Sequence, residues 1–503
     1  MQDQAFRYQY RISRHAEKMQ PATAPPARRQ LLEGWTLELG ADLPLARMQR
    51  EDGSLFGLVF GIAVDGGGAL VGSTVADAPD PRKGWDAVED WVEGVSGRFG
   101  VLLSDGRETR FYCDPCGMIG AVYDPVSRRL ASSLGLCLDR AIEDRDDYDH
   151  SAVEARGALY TLFDTRDKTA RRMNPSCYLL LEDFTETRFW PRAHSIALID
   201  GDLGRTYDGI IAQTQAVTEA IAKTHRTWLA LSGGQDSRLL LAMAGPATRY
   251  IERSFTHISN FMGRIDASIA QRMAEGVGMA HETHDRRLHK ANKAQARADE
   301  QTFLRGVGFA MRPPREISNG LTQMLPDGVV VFRGHQTDIL RAVLADKIGD
   351  KARRRTPWQI RRLMPVPRDE FDATVHRRFH DRYDAWRRAL PAFAEANSTD
   401  LMFLEIYYSS TVGCSFPACF RNFYMSPFNG RRQIGHAMAI DESYRKASFG
   451  VFDLIARSNP VLDRIPFDFE LGPDLEKLNC ATHVRQVVDP RRSGTKARRA
   501  LMA

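Results

Sequence analysis

The chain has 503 residues, of which 43% are hydrophobic and 26% charged, and a formal net charge of +5. That length exceeds one ordinary hydrophobic core and the composition is that of a globular protein, so two domains are expected. No apolar run reaches the ~18–20 residues of a membrane-crossing helix, the mild charge does not by itself imply nucleic-acid binding, and the first twenty residues lack the apolar core of a secretory signal. The seven cysteines are scattered, which fits a reducing cytoplasm rather than a disulfide framework. Basic residues cluster at 351–362 and 491–499, read as a solvated helix face and a frayed end, with a surface for a charged substrate or acidic partner as the alternative.

Residues 1 to about 30 are polar and end in Pro21, Pro25 and Pro26, so they read as a weakly ordered lead-in or an edge element. From about Trp35 to Trp190, short apolar and β-branched runs are bounded by Gly, Asp and Pro. Such runs predict strands, here at 58–64, 99–103, 109–113 and 178–181, with a Gly-rich turn at 65–68. One helix is expected over about 85–95. After about Ile196 the segments lengthen and take helical spacing, at 207–225, 237–244 and 267–277. Short apolar strands stand between them at 227–231, 250–254 and 329–332. Alternating strands and helices predict a parallel sheet covered by helices. The last third is mostly helical, with an amphipathic stretch at 401–410. The expected class is α/β.

The strand 227–231 runs directly into Ser232-Gly233-Gly234-Gln235-Asp236-Ser237, and a helix follows. Two glycines let the backbone turn sharply and admit a ligand where a Cβ would stand. Ser232 and Ser237 add hydroxyls. The loop ends at a helix N-terminus, whose free N–H groups and dipole favour a phosphate. Asp236 is a poor choice against bare phosphate, so it is expected to meet a Mg2+ that bridges the phosphates. No Gly-Lys-Ser/Thr follows, which excludes a Walker A loop. The pattern resembles the pyrophosphate-binding loop of enzymes that split ATP between its α and β phosphates.

Further segments extend the resemblance. Ser96-Gly97-Arg98-Phe99-Gly100, Asp114-Pro115-Cys116-Gly117 with Tyr123, Ala131-Ser132-Ser133, and the stretch 168–190 ending at Trp190 are similar to successive parts of a glutaminase-type domain. Ser254-Phe255-Thr256, Asp266-Ala267-Ser268-Ile269-Ala270 with His281, the stretch 329–338, and Pro427-Phe428-Asn429 are similar to parts of a synthetase domain. Scattered over most of residues 50–470, these motifs resemble asparagine synthetase and the wider group that includes β-lactam synthetases and lasso-peptide cyclases. The resemblance implies an Ntn-hydrolase-like αββα sandwich over 1–195. It implies a Rossmann-like PP-loop ATPase domain with a helical C-terminal part over 196–503. It further implies that Leu231, Ser232, Gly233, Gly234, Asp236 and Ser237 bind ATP and pyrophosphate. Phe255, Thr256 and Gly334 would line the adenosine, and Asp236 and Asp338 would hold Mg2+. Asp236, Asp338 and Arg333 are the expected catalytic residues, Arg333 to meet a phosphate or a substrate carboxylate.

The sequence also departs from that family. Its glutaminase uses a cysteine at the processed N-terminus as nucleophile, whereas here Met1 is followed by Gln2 and the first cysteine is Cys113. No glutaminase activity is therefore expected. Cys113 and Cys116 lack the second pair that a zinc site needs. In the loop at Asp338, His335 and Ile339 stand for family glutamates and Arg333 for a serine. For the family's C-terminal lysine only Lys477 and Lys496 are available, outside its usual context. Tyr407 and Tyr408 read as packing residues. The expected function is an ATP-dependent amide-forming ligase of the cytoplasm. It would adenylate a small-molecule or peptide carboxylate and couple it to an amine, with no membrane or nucleic-acid partner. The oligomeric state stays open, a homodimer included. Adenylation of a tRNA nucleobase and ATP binding without ligase activity are the alternatives.

Overall fold

A computed structural model describes residues 4–14, 28–66, 68–70, 78–155, 157, 159–348 and 373–471. Met1 and Gln2, the basic stretches 351–362 and 491–499, and Lys477 and Lys496 lie outside them. The fold is mixed α/β, with two antiparallel sheets and one parallel sheet. The chain groups into two units. One comprises Met1–His194, Arg297–Pro314 and Lys347–Phe420, and the other Ser195–Ala296, Arg315–Asp346 and Arg421–Ala503. Beside the single cut at 195/196 read from the sequence, this grouping returns two later segments to the first unit.

In the first unit, a six-stranded sheet runs in the order Arg171–Arg172, Val122–Asp124, Arg129–Ala131, Tyr10–Arg14, Trp35–Leu39, Arg28–Leu32. A second sheet is built from Thr185–Arg188, Cys177–Leu180, Thr109–Cys113, Ser96–Ser104, Leu55–Asp65 and Leu45–Gln49, with Gly68–Ala69 paired to Leu55–Asp65. The two sheets share a core in which the Tyr10 ring lies 4.5 Å from Phe60 and 6.0 Å from Phe111. One expectation is corrected here. Tyr10–Arg14 is neither a lead-in nor an edge, because it sits inside the sheet with neighbours on both sides, whereas Arg28–Leu32 does form an edge strand. Polar residues disguised the inner strand. Arg11 faces Glu38 across the ladder and pairs with it at 2.7 Å. Gln9 accepts from Ser133 Oγ at 2.7 Å and donates to the Ala5 carbonyl at 3.0 Å. With those groups satisfied, burial of polar side chains is tolerated.

Buried ionic contacts explain why the later segments belong to this unit. Glu405 is fully buried and accepts from Arg188 at 2.7 and 2.9 Å, from Trp386 Nε1 at 2.7 Å and from Asn174 Nδ2 at 2.9 Å. Arg382 grips Asp164 with two bonds, of 2.7 and 2.6 Å. Two glycines, Gly135 and Gly308, touch so closely that a Cβ on Gly308 would stand 2.3 Å from the Gly135 Cα. The helical stretch expected at 401–410 is an α-helical turn, Ser398–Met402, followed by a π-helical one, Phe403–Tyr408. Of its two tyrosines, Tyr408 is buried and Tyr407 is exposed.

The second unit is built on a parallel sheet in the order His281–Asp285, Arg253–Ile258, Thr227–Ala230, Val330–Phe332, Phe423–Met425. The expected strand at 250–254 begins only at Arg253, because Gly245–Tyr250 forms a 3-10 turn led by Pro246. The helix Gln235–Ala244 is buried from Ser237 onward. Its Arg238 donates to the carbonyl of Pro466 at 2.7 Å and lies 3.7 Å over the Phe467 ring. Among the described residues no helix is long and apolar enough to cross a membrane. The described cysteines are all buried thiols outside any disulfide, Cys113 and Cys116 included.

Removing one partner of a buried pair leaves the other charge uncompensated. Arg188→Met is accordingly expected to destabilise the protein by about 3–5 kcal/mol in chemical denaturation. A loss below about 1 kcal/mol, the range of an exposed pair, would show that Glu405 is not the node described.

Candidate functional site

The second unit holds a cavity of ≈ 340 Å³ at the carboxyl ends of its central strands. Of the residues expected to form a site, Leu231, Ser232, Asp236, Ser237, Phe255, Thr256, Arg333, Gly334 and Asp338 all line it. Such a place, outside the strand ends of an open parallel sheet, is where α/β folds bind ligands.

The loop is closed by its own serines. Ser237 Oγ accepts from the Ser232 amide at 3.0 Å and lies 3.1 Å from Ser232 Oγ. The two glycines differ in kind. Gly233 is locked, its amide donating to Asp266 at 2.9 Å and its carbonyl accepting from the Asp468 amide at 3.2 Å. A Cβ there would meet Ile269 at 2.8 Å. Its amide is thus engaged by a carboxylate rather than left for a phosphate. Gly234 caps the helix Gln235–Ala244 with an ordinary φ of −76°, and a Cβ on it would meet only Ser232 Oγ, at 3.6 Å. The space before Gly234 is open.

Gly334 brings the second loop against the first. A Cβ there would stand 2.6 Å from the Asp236 carbonyl carbon and 2.8 Å from the Ser237 amide nitrogen, so only glycine permits this approach. The loop continues through Gln336, at φ 66°, into the short helix Thr337–Arg341, which ends on Ala342 at φ 45°. Left-handed backbone at non-glycine residues costs on the order of 1 kcal/mol or more and clusters at functional sites. The result is a convergence of charge. Arg341 donates to Asp236 at 3.0 and 2.6 Å and to Asp338 at 2.6 Å, so one guanidinium nitrogen serves both carboxylates. Thr337 Oγ1 adds a bond to Asp236 at 3.2 Å. Burial, reinforced by the Asp338 charge, pushes the Asp236 carboxyl up to about 6. The two carboxylates thus converge on one point, and Mg2+ needs only one or two protein carboxylates beside phosphate oxygens. Among the described residues no three His, Cys, Asp or Glu side chains form a self-sufficient metal cage. Arg341 is the site residue that sequence reading misses. Its signal is only its position three residues after Asp338.

Arg333 lines the cavity but faces Glu316, at 3.2 Å, and lies 4.7 Å over the Tyr424 ring. It is an anchored cation at the rim. The opposite wall is aromatic. Phe255 is flanked by His257 at 5.0 Å and by His284 at 5.7 Å in a stacked arrangement. The Nε2 of His257 is buried without a hydrogen-bond partner among the described residues. A flat heteroaromatic ligand with a polar edge satisfies both features. Beneath that wall runs a relay. Thr256 Oγ1 donates to the Leu231 carbonyl at 2.7 Å, so it accepts from His281 Nε2 at 3.2 Å, leaving His281 Nδ1 to accept from Ser254 Oγ at 2.9 Å. The relay fixes a neutral His281 and with it the base of the 232–237 loop. Burial, with the His284 charge, lowers the His281 pKa to about 4, and burial, with the same neighbour, lowers that of His257 to about 3. Compared with known proteins, the chain matches no family model, and no curated protein matches it.

Two outcomes test this construction. Gly334→Ala must displace one loop from the other and is expected to cost about 1–3 kcal/mol, whereas Gly234→Ala is expected to change stability by no more than about 0.5 kcal/mol. Equal effects in thermal melts would contradict the loop contact. The histidines give a pH dependence. Their pKa values are lower folded than the ordinary 6.5, so between pH 6.5 and about 4 the unfolded chain binds more protons. Stability therefore falls as the pH drops through that window, by about 1.4 kcal/mol per pH unit for each histidine. Denaturation at stepped pH should show a slope shallower by about one proton in His281→Gln; an unchanged slope would exclude the relay as its source.

Proposed function

We propose that this chain is an ATP-dependent, AMP-forming ligase related to asparagine synthetase. Its parallel-sheet unit would be a Rossmann-like PP-loop domain and its double-sheet unit an Ntn-hydrolase-like sandwich. The observation that carries this reading is the convergence of Asp236 and Asp338, from two separate loops, at the mouth of Ser232–Ser237. Phosphate at a helix N-terminus and a divalent cation between two carboxylates are what such a mouth accommodates.

In this reading the adenine lies against Phe255 and His257, and the triphosphate runs toward Gly234 and the N-terminus of Gln235–Ala244. Mg2+, held by Asp236 and Asp338, would neutralise charge on the departing pyrophosphate. A substrate carboxylate oxygen attacks the α-phosphorus, the bond from that phosphorus to the bridging oxygen breaks, and pyrophosphate leaves with its electron pair. An amine then attacks the acyl carbon, AMP leaves, and the amine loses a proton. The protein's part is positioning and electrostatic stabilisation. Arg333, held at the rim by Glu316, supplies the fixed positive charge for an anionic substrate. The competing reading, nucleotide binding without transfer, is favoured by Arg341, which already compensates both carboxylates.

ATP–pyrophosphate exchange, run with carboxylate pools and separately with RNA, separates these readings. The ligase is expected to give carboxylate-dependent exchange that Asp236→Ala lowers at least about 100-fold, the scale of losing a group that stabilises the transition state. Gly234→Ala should weaken exchange while leaving the melt unchanged. Exchange that needs RNA would move the acceptor to a nucleobase. ATP binding with no exchange under any condition would leave a nucleotide-binding protein.

A further inference from the structure

The double-sheet unit contains a second and larger cavity, of ≈ 660 Å³. Four aromatic side chains, Tyr123, Phe163, Phe184 and Trp386, form much of its wall, and three charged ones, Arg171, Glu186 and Arg382, line the same space. Ligand sites have this composition, an apolar and aromatic lining with a few placed polar groups.

The wall is held rigid from behind. Trp386 is tied by its Nε1 to the buried Glu405 at 2.7 Å, and Asn174, another lining residue, reaches the same carboxylate at 2.9 Å. Arg382, on the helix Ala373–Arg388 that carries Trp386, is committed to Asp164 and to the Leu162 carbonyl. The backbone of the wall is strained. Leu162, Phe163 and Phe184 have φ of 51°, 66° and 61°, a left-handed region that side chains of this size adopt at a cost on the order of 1–3 kcal/mol. Phe184 closes the hairpin between Cys177–Leu180 and Thr185–Arg188, its amide donating to the Leu180 carbonyl at 2.8 Å. Glycine is the low-cost residue at such a place. A phenylalanine there sets its ring 6.2 Å from Tyr123, along the cavity.

Two of these charges, Arg171 and Glu186, decide the ligand. The guanidinium of Arg171 makes no hydrogen bond or ion pair among the described residues, whereas Arg382 beside it is fully committed. Glu186 accepts from the Tyr123 hydroxyl at 2.7 Å and from the Asn174 amide at 2.9 Å, one bond per oxygen, so each oxygen keeps a free lone pair. Enclosure in the wall pushes its carboxyl above the ordinary carboxylate range. No ion pair joins Arg171 to Glu186. Arg171 is exposed to solvent and its charge acts on Glu186; a ligand that displaces solvent from both must replace it at each, so a purely anionic one leaves Glu186 uncompensated, a purely cationic one leaves Arg171 so, and a neutral one serves neither. We propose that this cavity is a binding site for a free aromatic α-amino acid. The ring packs among Tyr123, Phe163, Phe184 and Trp386, the carboxylate pairs with Arg171, and the ammonium meets Glu186. The site lies wholly within this unit and does not depend on the nucleotide chemistry proposed for the other.

Calorimetric titration of the full chain, without nucleotide, tests the assignment with L-phenylalanine, L-tyrosine and L-tryptophan. At least one is expected to bind saturably. Its analogues without the ammonium (3-phenylpropionate for phenylalanine) or without the carboxylate (phenethylamine) are expected to bind about tenfold more weakly or worse, the scale of a lost charge-assisted bond. Arg171→Ala, at an exposed position, should lower affinity similarly with an unchanged melt. Ala385→Trp, which fills the cavity from the helix, should abolish binding in a folded protein. Binding of 3-phenylpropionate equal to that of phenylalanine, an Arg171→Ala variant that binds as before, an Ala385→Trp variant that still binds, or no saturable binding of any of the three amino acids overturns the proposal.

Discussion

One guanidinium holds the cavity at the ends of the parallel strands in shape. Without Arg341, the carboxylates of Asp236 and Asp338 would face each other as like charges in a partly desolvated pocket, where repulsion is weakly screened. With it, the two loops that carry them become one structure. The glycine contact at Gly334 depends on that pairing as much as it permits it. Backbones that touch at 2.6 Å from an added Cβ stay together only if the side chains beyond them attract. A cation entering between the carboxylates would compete with Arg341, so the interaction that sets the shape of the site would also set the threshold for filling it.

A common device runs through both units, although their sheets differ. Each relies on a buried arginine or carboxylate with several partners to tie a distant chain segment to its core elements. Glu405 gathers Arg188, Trp386 and Asn174 in one unit, and Arg238 gathers the 465–467 segment in the other. Such nodes are weak evidence of stability compared with apolar packing, but they are strict about geometry, since each partner left unmatched is expensive. They suit a protein whose chain leaves a unit and returns to it.

The legible parts of the sequence are those whose determinants are local. The strand, the Ser232–Ser237 loop and the helix Gln235–Ala244 are adjacent in the chain, and glycine, serine and aspartate have a physical reason at each place. The strands with simple apolar runs, such as Thr109–Cys113, are legible for the same reason. The rest is tertiary. Tyr10–Arg14 hides as a strand because Arg11 and Gln9 look solvent-seeking until Glu38 and Ser133 arrive from elsewhere. Arg341 is one arginine among many until it meets Asp236. The distinction between Gly233, pinned by Asp266 and Asp468, and Gly234, open in front, does not exist at the level of the motif. The second cavity draws its wall from widely separated segments and leaves no local pattern.

The left-handed residues of that wall have a consequence for anyone who redesigns this protein. A stability-driven redesign would target Leu162, Phe163 and Phe184 first, replacing each with glycine to relieve its backbone. The hairpin and the turn would tolerate the exchange, the melting temperature would be the only quantity monitored, and two of the four rings around the cavity would be gone. An optimised chain of that kind would keep its sheets and lose a recess, and no fold-level criterion would register the difference.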